Sequence, residues 1–276
     1  MCLAMHASMY ENSAVKKNIK FLKNKIEFLA PKLTEGKAKS PEPEDVLENV
    51  LKKFGFSSIL KNKKILITAG PTIEQIDPIR AITNHSSGKT GVSLAAELVS
   101  AGAKVTFVYG PGKEKPPKGA KIINVLSSKE MHLAVKLELK KKFDIVIMAA
   151  AIADYVPTIQ SKNKIKSSKS NMTISLKKAP KIIDQIKKYQ KNVLLVGFKA
   201  ETNLTKNQLI KSAEKKLKES SADMIIANDI GSIRYKKNPQ KNQVIIVYSN
   251  KNIVSRWMDK EKIAKFIRKQ IEVKIK

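Results

Sequence analysis

One stretch, residues 65 to 91, constrains the fold of this chain more than any other. It starts with the apolar run Ile65–Ile67, which is typical of a buried parallel strand, and passes into a Gly-Pro turn. Ser86, Gly88 and Gly91 follow where a helix is predicted to begin, ahead of an apolar stripe. A helix N-terminus presents unpaired N–H groups and the positive end of a dipole. This arrangement therefore predicts a site for a nucleotide or another phosphorylated ligand.

Two familiar phosphate-binding patterns do not fit this stretch. Gly88-Lys89-Thr90 resembles the end of a P-loop, but Thr83 occupies the place of the first glycine, and about fifteen residues separate the loop from its strand. The dinucleotide fingerprint Gly-x-Gly-x-x-Gly is also absent, because Pro71 and Thr72 follow Gly70. The sequence thus predicts a Rossmann-like strand and helix without either standard signature.

From Lys61 onwards, predicted strands and helices alternate. The strands are expected at 64–69, 104–109, 121–124, 144–150, 193–198, 223–227 and 243–248. The helices are expected at about 88–101, 129–141, 180–189, 205–219 and 259–272. Alternation of this kind favours an α/β fold, a Rossmann-like and mostly parallel sheet with helices on both faces. Residues 243–248 and the Arg256-Trp257 region are predicted to add an antiparallel edge, and residues 156–172 to form a mobile loop.

Residues 1–57 differ in composition from residues 58–276, and a domain boundary is predicted between them. Helices are expected at about 13–23, with Asn12 as the cap, and at 44–54, with a short strand at 26–29. This segment has too little apolar content to form a domain alone. We expect it to be a short helical appendage to one α/β domain.

The net charge of +30 suggests a nucleic-acid partner, but the kind of basic residue argues against specific recognition. Four of the 54 basic residues are arginine, and aromatic residues make up 5% of the chain. Base recognition depends on arginine forks and stacking rings. A protein that binds no specific nucleic acid is therefore predicted.

The remaining composition predicts a cytoplasmic protein that does not contact a membrane. Cys2 is the single cysteine, which excludes an internal disulfide, and no apolar run reaches transmembrane length. The first eighteen residues lack the apolar core of a signal peptide. His6, His85 and His132 are scattered, so no protein-bound structural metal is predicted.

The motifs that follow one another along the chain carry a resemblance. Gly70-Pro71-Thr72-x-Glu74-x-Ile76-Asp77-Pro78-Ile79-Arg80 precedes Ile82-Thr83-Asn84-His85-Ser86-Ser87-Gly88-Lys89. Further on come Ala149-Ala150-Ala151-Ile152-Ala153-Asp154-Tyr155, Lys164-Ile165-Lys166, Lys178-Ala179-Pro180-Lys181-Ile182-Ile183, Val196-Gly197-Phe198-Lys199-Ala200-Glu201-Thr202 and Ile226-Ala227-Asn228-Asp229. In this order, over roughly residues 62 to 270, they closely resemble the phosphopantothenate–cysteine ligases, the synthetase half of the bifunctional coenzyme A biosynthesis protein.

The resemblance implies a reaction. Such ligases join 4′-phosphopantothenate to L-cysteine through an acyl-nucleotide, releasing pyrophosphate and then a nucleoside monophosphate. It implies CTP in preference to ATP as co-substrate, with Mg²⁺ bridging the triphosphate. It also implies a homodimer. The sequence does not decide between CTP and ATP.

The resemblance also assigns three residues to the chemistry. Asn84 matches the residue that contacts the acyl group, where an uncharged amide donor suits a developing oxyanion. Arg80 matches an arginine that reaches across a dimer interface to the substrate. Lys164 matches the first lysine of a loop that folds over the nucleotide phosphates.

Other matched residues are expected to bind the ligands. Gly70, Ser86, Gly88 and Gly91 would form a triphosphate cradle, and Ala150 and Ala151 would allow close approach of the substrate. The remaining matches are a substrate or base-ribose contact at Asp154, a main-chain nucleobase segment at Pro180, Lys181, Ile182 and Ile183, a ring against the base at Phe198, and nucleotide contacts at Lys216 and Asn228.

The chain departs from the family pattern at two positions. Ser167 and Ser220 stand where the family has lysine, so phosphate clamping and a strict CTP preference are in question. Residues 1–57 resemble the end of the flavin-dependent decarboxylase that usually precedes the ligase, without the half expected to bind the flavin. Neither FMN binding nor decarboxylation is therefore expected in this chain, and a separate decarboxylase chain is a possible partner.

Three other functions stay open at the level of sequence. The same fold serves nicotinamide-dependent oxidoreductases, since fold alone does not determine function. Against that reading, Tyr109-Gly110-Pro111 stands at the end of the second strand, where such proteins carry an acidic residue. A basic nucleic-acid-binding module and an inactive partner subunit of a separate decarboxylase are the others.

Overall fold

The computed structural model describes the whole chain except residues 27, 30, 35–36, 44, 48–49, 51–55, 167–170 and 276. The chain divides into two compact units, Met1–Ser57 and Ser58–Lys276. None of the described helices is both long enough and apolar enough to cross a lipid bilayer.

The first unit contains short elements. Its helices are α1 (Ala7–Glu11) and α2 (Ser13–Leu22), and its strands are β1 (Met5–His6), β2 (Lys32–Thr34) and β3 (Lys37–Lys39), paired antiparallel in the order β1-β3-β2. The side chain of Asn12 accepts from the Ala14 N–H at 2.9 Å, which confirms the predicted cap of α2. The strand predicted at 26–29 does not form over its described residues: Ile26 bonds back to Leu22, and Leu29 forms only an isolated parallel bridge with Cys2. Most of the helix predicted at 44–54 lies outside the described residues.

The second unit is larger. Its helices are α3 (Lys89–Ser100), α4 (Ser128–Leu139), α5 (Ile183–Tyr189), α6 (Lys206–Ser220), α7 (Ile233–Lys237) and α8 (Lys260–Ile275). Its strands are β4 (Lys64–Ala69), β5 (Ile73–Gln75), β6 (Ala81–Thr83), β7 (Lys104–Tyr109), β8 (Lys121–Asn124), β9 (Ile145–Met148), β10 (Tyr155–Pro157), β11 (Leu176–Lys178), β12 (Leu194–Glu201), β13 (Met224–Asp229), β14 (Lys241–Asn242), β15 (Ile245–Val247), β16 (Asn252–Val254) and β17 (Met258–Asp259).

Eight of these strands form one sheet in the order β16-β15-β13-β12-β9-β4-β7-β8. Six of them are parallel, namely β8, β7, β4, β9, β12 and β13. β15 and β16 add an antiparallel edge. When these six parallel strands are numbered 1 to 6 along the chain, their order across the sheet is 3-2-1-4-5-6, the arrangement of a Rossmann fold. The chain reverses direction across the sheet between β4 and β9, so a ligand crevice is expected at the carboxyl ends of these strands.

The core shows why β4 occupies the centre of the sheet. Its buried residues alternate between two faces, as successive side chains of a strand must. Ile65 and Ile67 pack in the cluster that also holds apolar residues of α3 and α8, whereas Leu66 packs in the cluster that holds those of α4 and α5. The predicted α/β fold, with helices on both faces of a mostly parallel sheet, is confirmed.

Two short antiparallel ribbons project from this sheet and had no prediction. β5 pairs with β6, and β10 pairs with β11. The second ribbon corrects one end of the loop predicted at 156–172, because Val156 and Pro157 belong to β10. The other described residues of that segment form neither helix nor strand. Two of them are tied by backbone hydrogen bonds, since Thr158 donates to the Ser175 carbonyl and Ser161 to the Ile76 carbonyl, each at 2.9 Å.

Candidate functional site: a cleft at the start of helix α3

A cleft of about 240 Å³ lies at the carboxyl ends of the central parallel strands. We call it the glycine cleft. It is lined by His85, Ser86, Ser87, Gly88, Lys89, Thr90, Gly91, Ala149, Ala150, Ala151, Phe198, Ala200, Asn228, Ile230, Tyr235, Asn242, Val244, Lys260 and Ile263. These residues lie between β6 and the first turn of α3, follow β9, belong to or follow β12 and β13, and come from the C-terminal region. The cleft therefore spans the point where the strand order reverses, as expected for a ligand site.

The start of α3 supplies hydrogen-bond donors to this cleft. Gly88 caps the helix with a left-handed backbone (φ 80°) and no capping side chain. The Ser86 hydroxyl accepts from the Gly88 N–H, and the Ser87 hydroxyl from the Lys89 N–H, each at 3.3 Å. The N–H groups of Thr90 and Gly91 have no acceptor inside the helix, because the first helical bond runs from the Val92 N–H to the Gly88 carbonyl. An anion is therefore favoured here by both donors and dipole.

Close packing explains why glycine stands at two places along this segment. A Cβ atom on Gly91 would lie 2.4 Å from the Ala69 Cβ, so α3 rests directly on β4. A Cβ on Gly88 would lie 2.8 Å from the Tyr109 hydroxyl, at a backbone angle that other residues rarely adopt. Both glycines thus hold the donors in place by letting backbones approach.

The glycine cleft is electropositive. None of the described residues that line it carries a carboxylate, whereas Lys89 and Lys260 each bring a positive charge to the lining. Lys89 pairs with Glu261 at 3.2 Å, and its ammonium donates to the Gln240 side chain at 2.8 Å. Lys260 is 8% exposed. Burial, and then the nearby charge of Lys89, lower the pKa of Lys260, and the charges of Glu114 and Glu261 oppose this only in part.

Sequence reasoning missed Lys260, although a signal exists. Lys260 begins α8 at the same helical spacing as the buried Ile263, Ala264, Ile267 and Ile271. A lysine on the apolar stripe of a helix is unusual. In a chain with fifty lysines, that position did not stand out.

The structure brings seven of the sequence-predicted ligand residues into the glycine cleft. They are Ser86, Gly88, Gly91, Ala150, Ala151, Phe198 and Asn228. Gly70, also predicted for the cradle, is not among the described residues that line the cleft. Its backbone has φ 77°, and a Cβ would lie 2.6 Å from the Gly110 carbonyl oxygen. Gly70 lets the ends of β4 and β7 meet.

Asn84 lies at the border of the cleft, next to His85. Its side-chain amide donates to the carbonyls of Ala151 at 3.3 Å and Ile152 at 3.1 Å. The amide predicted to donate to an oxyanion therefore binds the chain that follows β9. To donate to a substrate, it has to exchange one of these bonds.

Arg80 belongs to a separate network around the fully buried Asp77. Its guanidinium contacts the Asp77 carboxylate at 3.0 Å and donates to the Ile165 carbonyl at 3.1 Å. The Asp77 carboxylate also accepts from the N–H groups of Ile79, Arg80 and Ile165. Burial alone would raise the pKa of Asp77, but these donors and the Arg80 charge together lower it. The network fixes the segment that carries Lys164.

Three other charged residues predicted from the sequence are paired outside the glycine cleft, whereas Lys164 is exposed. Asp154 forms an ion pair with Lys181, and Lys216 pairs with Asp184 at 2.7 Å. We call Arg80, Asp154, Lys181 and Lys216, with their partners Asp77 and Asp184, the ion-pair flank. The predicted nucleobase segment adjoins it. Within that segment Pro180 and Lys181 are exposed, Ile182 is buried, and Ile183 begins α5. None of these residues is among the described residues lining the cleft.

The structure describes one of the two departures from the family pattern. Ser220 is 2% exposed, and its hydroxyl donates to the Lys216 carbonyl at 2.6 Å. Its side chain is therefore enclosed at the C-terminal end of α6. Ser167 lies outside the described residues.

Two other observations limit the chemistry. Within the described part of the chain, no three His, Cys, Asp or Glu side chains converge as a metal site would require. At the end of β7, the Tyr109 hydroxyl donates to the Glu114 carbonyl at 2.8 Å. An aromatic side chain thus stands where a dinucleotide-binding protein places an acid for the ribose.

Comparisons with known proteins cover both units. The model of the DNA/pantothenate metabolism flavoprotein C-terminal domain matches residues 60–274, and the Flavoprotein model matches residues 1–55. The chain is 41% identical over 246 residues to the coenzyme A biosynthesis bifunctional protein CoaBC of Thermococcus kodakarensis, covering 88% of this chain and 59% of that protein. It is 39% identical to CoaBC of Borreliella burgdorferi, covering 97% and 69%. The chain thus spans between half and about two thirds of the relatives' lengths.

A solved structure agrees with the sequence comparison. The crystal structure of the C-terminal domain of a CoaBC protein is similar with a TM-score of 0.66 at 36% identity, covering 79% of this chain and 98% of that domain. The family model matches well over half of the chain. The chain therefore belongs to the family defined by the DNA/pantothenate metabolism flavoprotein C-terminal domain, together with the bifunctional CoaBC proteins.

Proposed function

We propose that this protein is a phosphopantothenate–cysteine ligase of coenzyme A biosynthesis. The observation that carries the proposal is the glycine cleft. It lies where the strand order reverses, it presents helix N–H donors and lysines, and its described lining has no carboxylate. A site of this kind suits phosphorylated substrates. Membership of the CoaBC family supports the assignment.

The proposed reaction has two steps. The carboxylate oxygen of 4′-phosphopantothenate attacks the α-phosphorus of a nucleoside triphosphate, and the bond to pyrophosphate breaks. The amine of L-cysteine then attacks the acyl carbon, an amide bond forms, and the nucleoside monophosphate leaves as the amine loses a proton. The protein's part is to position the groups and to stabilise the charge that develops.

The chain's own residues take separate parts in this proposal. Ser86, Gly88 and Gly91 hold phosphoryl oxygens at the start of α3. Asn84 exchanges its bond to the Ala151 carbonyl, the longer of its two, for the acyl oxygen. Lys164 covers the leaving phosphates, because the Asp77 network holds its segment.

CTP is proposed as the nucleotide. Backbone groups of the nucleobase segment would read the base, with Lys216 and Asp154 released from their ion pairs to contact the nucleotide. Mg²⁺ fits this arrangement as an ion held by phosphate oxygens, since no protein cage is formed by the described residues.

We propose no flavin chemistry for residues 1–55. Within Met1–Ser57, Ser57 is the one described residue that is buried. A flavin ring needs an enclosed and largely apolar pocket. The described residues of this unit do not fit such a group.

We also propose a homodimer that shares its active sites. Several large apolar side chains are exposed in the β5–β6 turn and in the segment that forms the β10–β11 ribbon. They are Ile79, Tyr155, Ile159, Met172 and Leu176, and Ile159 is 82% exposed. Surfaces of this kind mark protein contacts. Mixing Arg80→Ala with Asn84→Asp protomers should restore part of the activity if Arg80 serves the partner's site. Mixed dimers without any recovered activity would contradict sharing.

The assignment is tested by the dependence of pyrophosphate release on substrates. Release should require both phosphopantothenate and CTP or ATP, and an acyl-nucleotide should accumulate in the absence of cysteine, detectable by mass spectrometry. Comparison of the two nucleotides measures the preference. Folded protein that releases no pyrophosphate with either nucleotide would refute the proposal.

A further inference from the structure

Lys260 is a buried cation that forms no direct ion pair with a described residue, and Glu114 and Glu261 act on it only through longer-range electrostatics. It lines the glycine cleft and is 8% exposed, and its ammonium lies 5.8 Å from the centre of the Tyr235 ring. Among the residues that the structure describes, no carboxylate pairs with this ammonium. Its neighbours differ, since Lys89 pairs with Glu261 and Lys262 with Asp259.

A cation in this position destabilises the unliganded protein. Removing a charge from water is costly unless a partner compensates for it, and an adjacent Lys89 adds repulsion. The contact with the Tyr235 ring compensates weakly. An anion from outside the chain is the partner that this cleft can accept, since its described lining residues include backbone and hydroxyl donors but no acid.

The position of Lys260 is fixed by the elements around it. Its own N–H donates to the Gln240 carbonyl at 3.2 Å, and the Lys89 ammonium bonds the Gln240 side chain at 2.8 Å. Further along α8, Arg268 contacts Glu97 of α3 at 2.8 Å. These contacts hold the two helices together, so the N-terminus of α3 and the Lys260 ammonium are presented to one cavity.

We propose that Lys260 binds a phosphoryl group of the substrate in the glycine cleft, jointly with the N-terminus of α3. This inference rests on the proposed function and adds a ligand-binding residue from the C-terminal helix. Two sources share the chemistry, the phosphate monoester of the acid and the phosphates of the nucleotide. In either case the bound dianion supplies the direct ion-pair partner that no described carboxylate provides.

The test measures binding to the full chain by calorimetry, with Lys260→Met compared with Lys265→Met. Lys265 is an exposed lysine of the same helix and serves as the matched control. The ligands are phosphopantothenate, pantothenate without its phosphate, and CTP. Loss of a charge-assisted contact should weaken one phosphorylated ligand by about tenfold to a hundredfold in Lys260→Met. Pantothenate binding and the Lys265→Met variant should be unchanged.

The pattern of loss identifies the source of the phosphoryl group. A loss confined to phosphopantothenate assigns Lys260 to the acid, and one confined to CTP assigns it to the nucleotide. The unliganded Lys260→Met protein should melt at the same or a higher temperature than the wild type, which a purely structural lysine would not show. Lys260→Arg should recover part of the affinity.

A measurement on the wild-type protein covers the case in which Lys260→Met fails to fold. Either phosphorylated ligand should protect Lys260, but not Lys265, from an amine-acylating reagent followed by mass spectrometry. Unchanged affinities for both ligands in the folded variant, no protection, or no binding of either ligand would overturn the inference. Because these readouts do not need turnover, a failed ligase assay with intact Lys260-dependent binding would count against the proposed function alone.

Discussion

The glycine cleft and the ion-pair flank are built from opposite materials. The cleft consists largely of small residues and backbone donors that close packing holds in place, such as Gly91 against Ala69. The flank consists of long charged side chains, each tied to a partner within the chain, such as Arg80 to Asp77 and Lys216 to Asp184. Both contain residues predicted from the sequence to bind ligands.

The difference indicates a division of labour. A ligand that enters the cleft meets donors already in position, so little ordering cost opposes binding there. A ligand that engages the flank must replace an internal ion pair. For the exposed Lys181–Asp154 pair that exchange costs little, whereas Arg80 leaves a buried carboxylate behind. We infer that the cleft supplies affinity and that the flank responds to the ligand once it is bound.

The largest effect is expected from breaking the cleft. Gly91→Ala places a methyl group 2.4 Å from the Ala69 Cβ, so α3 must move away from β4. Ligase turnover should fall about a hundredfold or more, and the free energy of unfolding by about 1–3 kcal/mol, as measured by pyrophosphate release and denaturant titration. Ser93→Ala, on the same helix, is the control. Near-normal turnover in Gly91→Ala would show that the N–H donors of α3 do not depend on close packing of this helix against β4.

Ser220→Lys tests whether the family lysine can act at this place. Ser220 is buried at the C-terminal end of α6, so the longer charged side chain should destabilise the fold by about 1–3 kcal/mol without tightening CTP binding. Thermal unfolding and calorimetry with CTP check both parts. Tighter CTP binding at unchanged stability would place position 220 within reach of the nucleotide and add it to the residues of the ion-pair flank.

The Asp77 network predicts a pH dependence with a definite sign. The pKa of Asp77 is lowered in the folded state, so its contribution to stability is complete above the unfolded value of about 4 and is lost as pH falls through the folded pKa. The melting temperature of the wild type should exceed that of Asp77→Asn at neutral pH, and the difference should shrink as the solution is acidified. A difference that does not vary with pH would contradict the charged network.

The smallest effect is expected from the exposed pair of the flank. Lys181→Ala, Asp154→Ala and the double variant should give a coupling energy of about 0–1 kcal/mol, reduced by added salt. The two single variants should differ in ligand affinity: Asp154→Ala should bind more weakly than Lys181→Ala, because the Asp154 side chain is the proposed contact. A loss of affinity in Asp154→Ala but not in Lys181→Ala would sharpen the comparison, and equal losses would assign the role to the pair.

Local sequence predicted the parallel sheet because each strand carries its own signal. The strands at 64–69, 104–109 and 121–124 agree residue for residue, since apolar runs are bounded by lysine and turn residues. The ribbons β5–β6 and β10–β11 were not predicted, because their strands are three residues long and have no clear alternation. Their pairing is set by contacts between distant segments, such as Ser161 with Ile76.

The same limit applies to the site. The glycine segment could be found because strand, turn and helix start are contiguous in the sequence. Lys260 and the central role of Asp77 could not, since each depends on chain that is distant in sequence: Lys260 on the packing of α8 against α3, and Asp77 on the backbone of Ile165. Roles that depend on such contacts become visible when the fold is known.

The distance in sequence between α8 and α3 has a consequence for biosynthesis. Arg268 and Glu97 are 171 residues apart, yet their contact helps hold α8 on the helix that opens the cleft. A nascent chain whose six parallel strands have all left the ribosome, but whose α8 has not, still lacks Lys260 and one wall of the cavity. Substrate can therefore use the whole cavity only after α8 has emerged, and until then the sheet must persist on its own core.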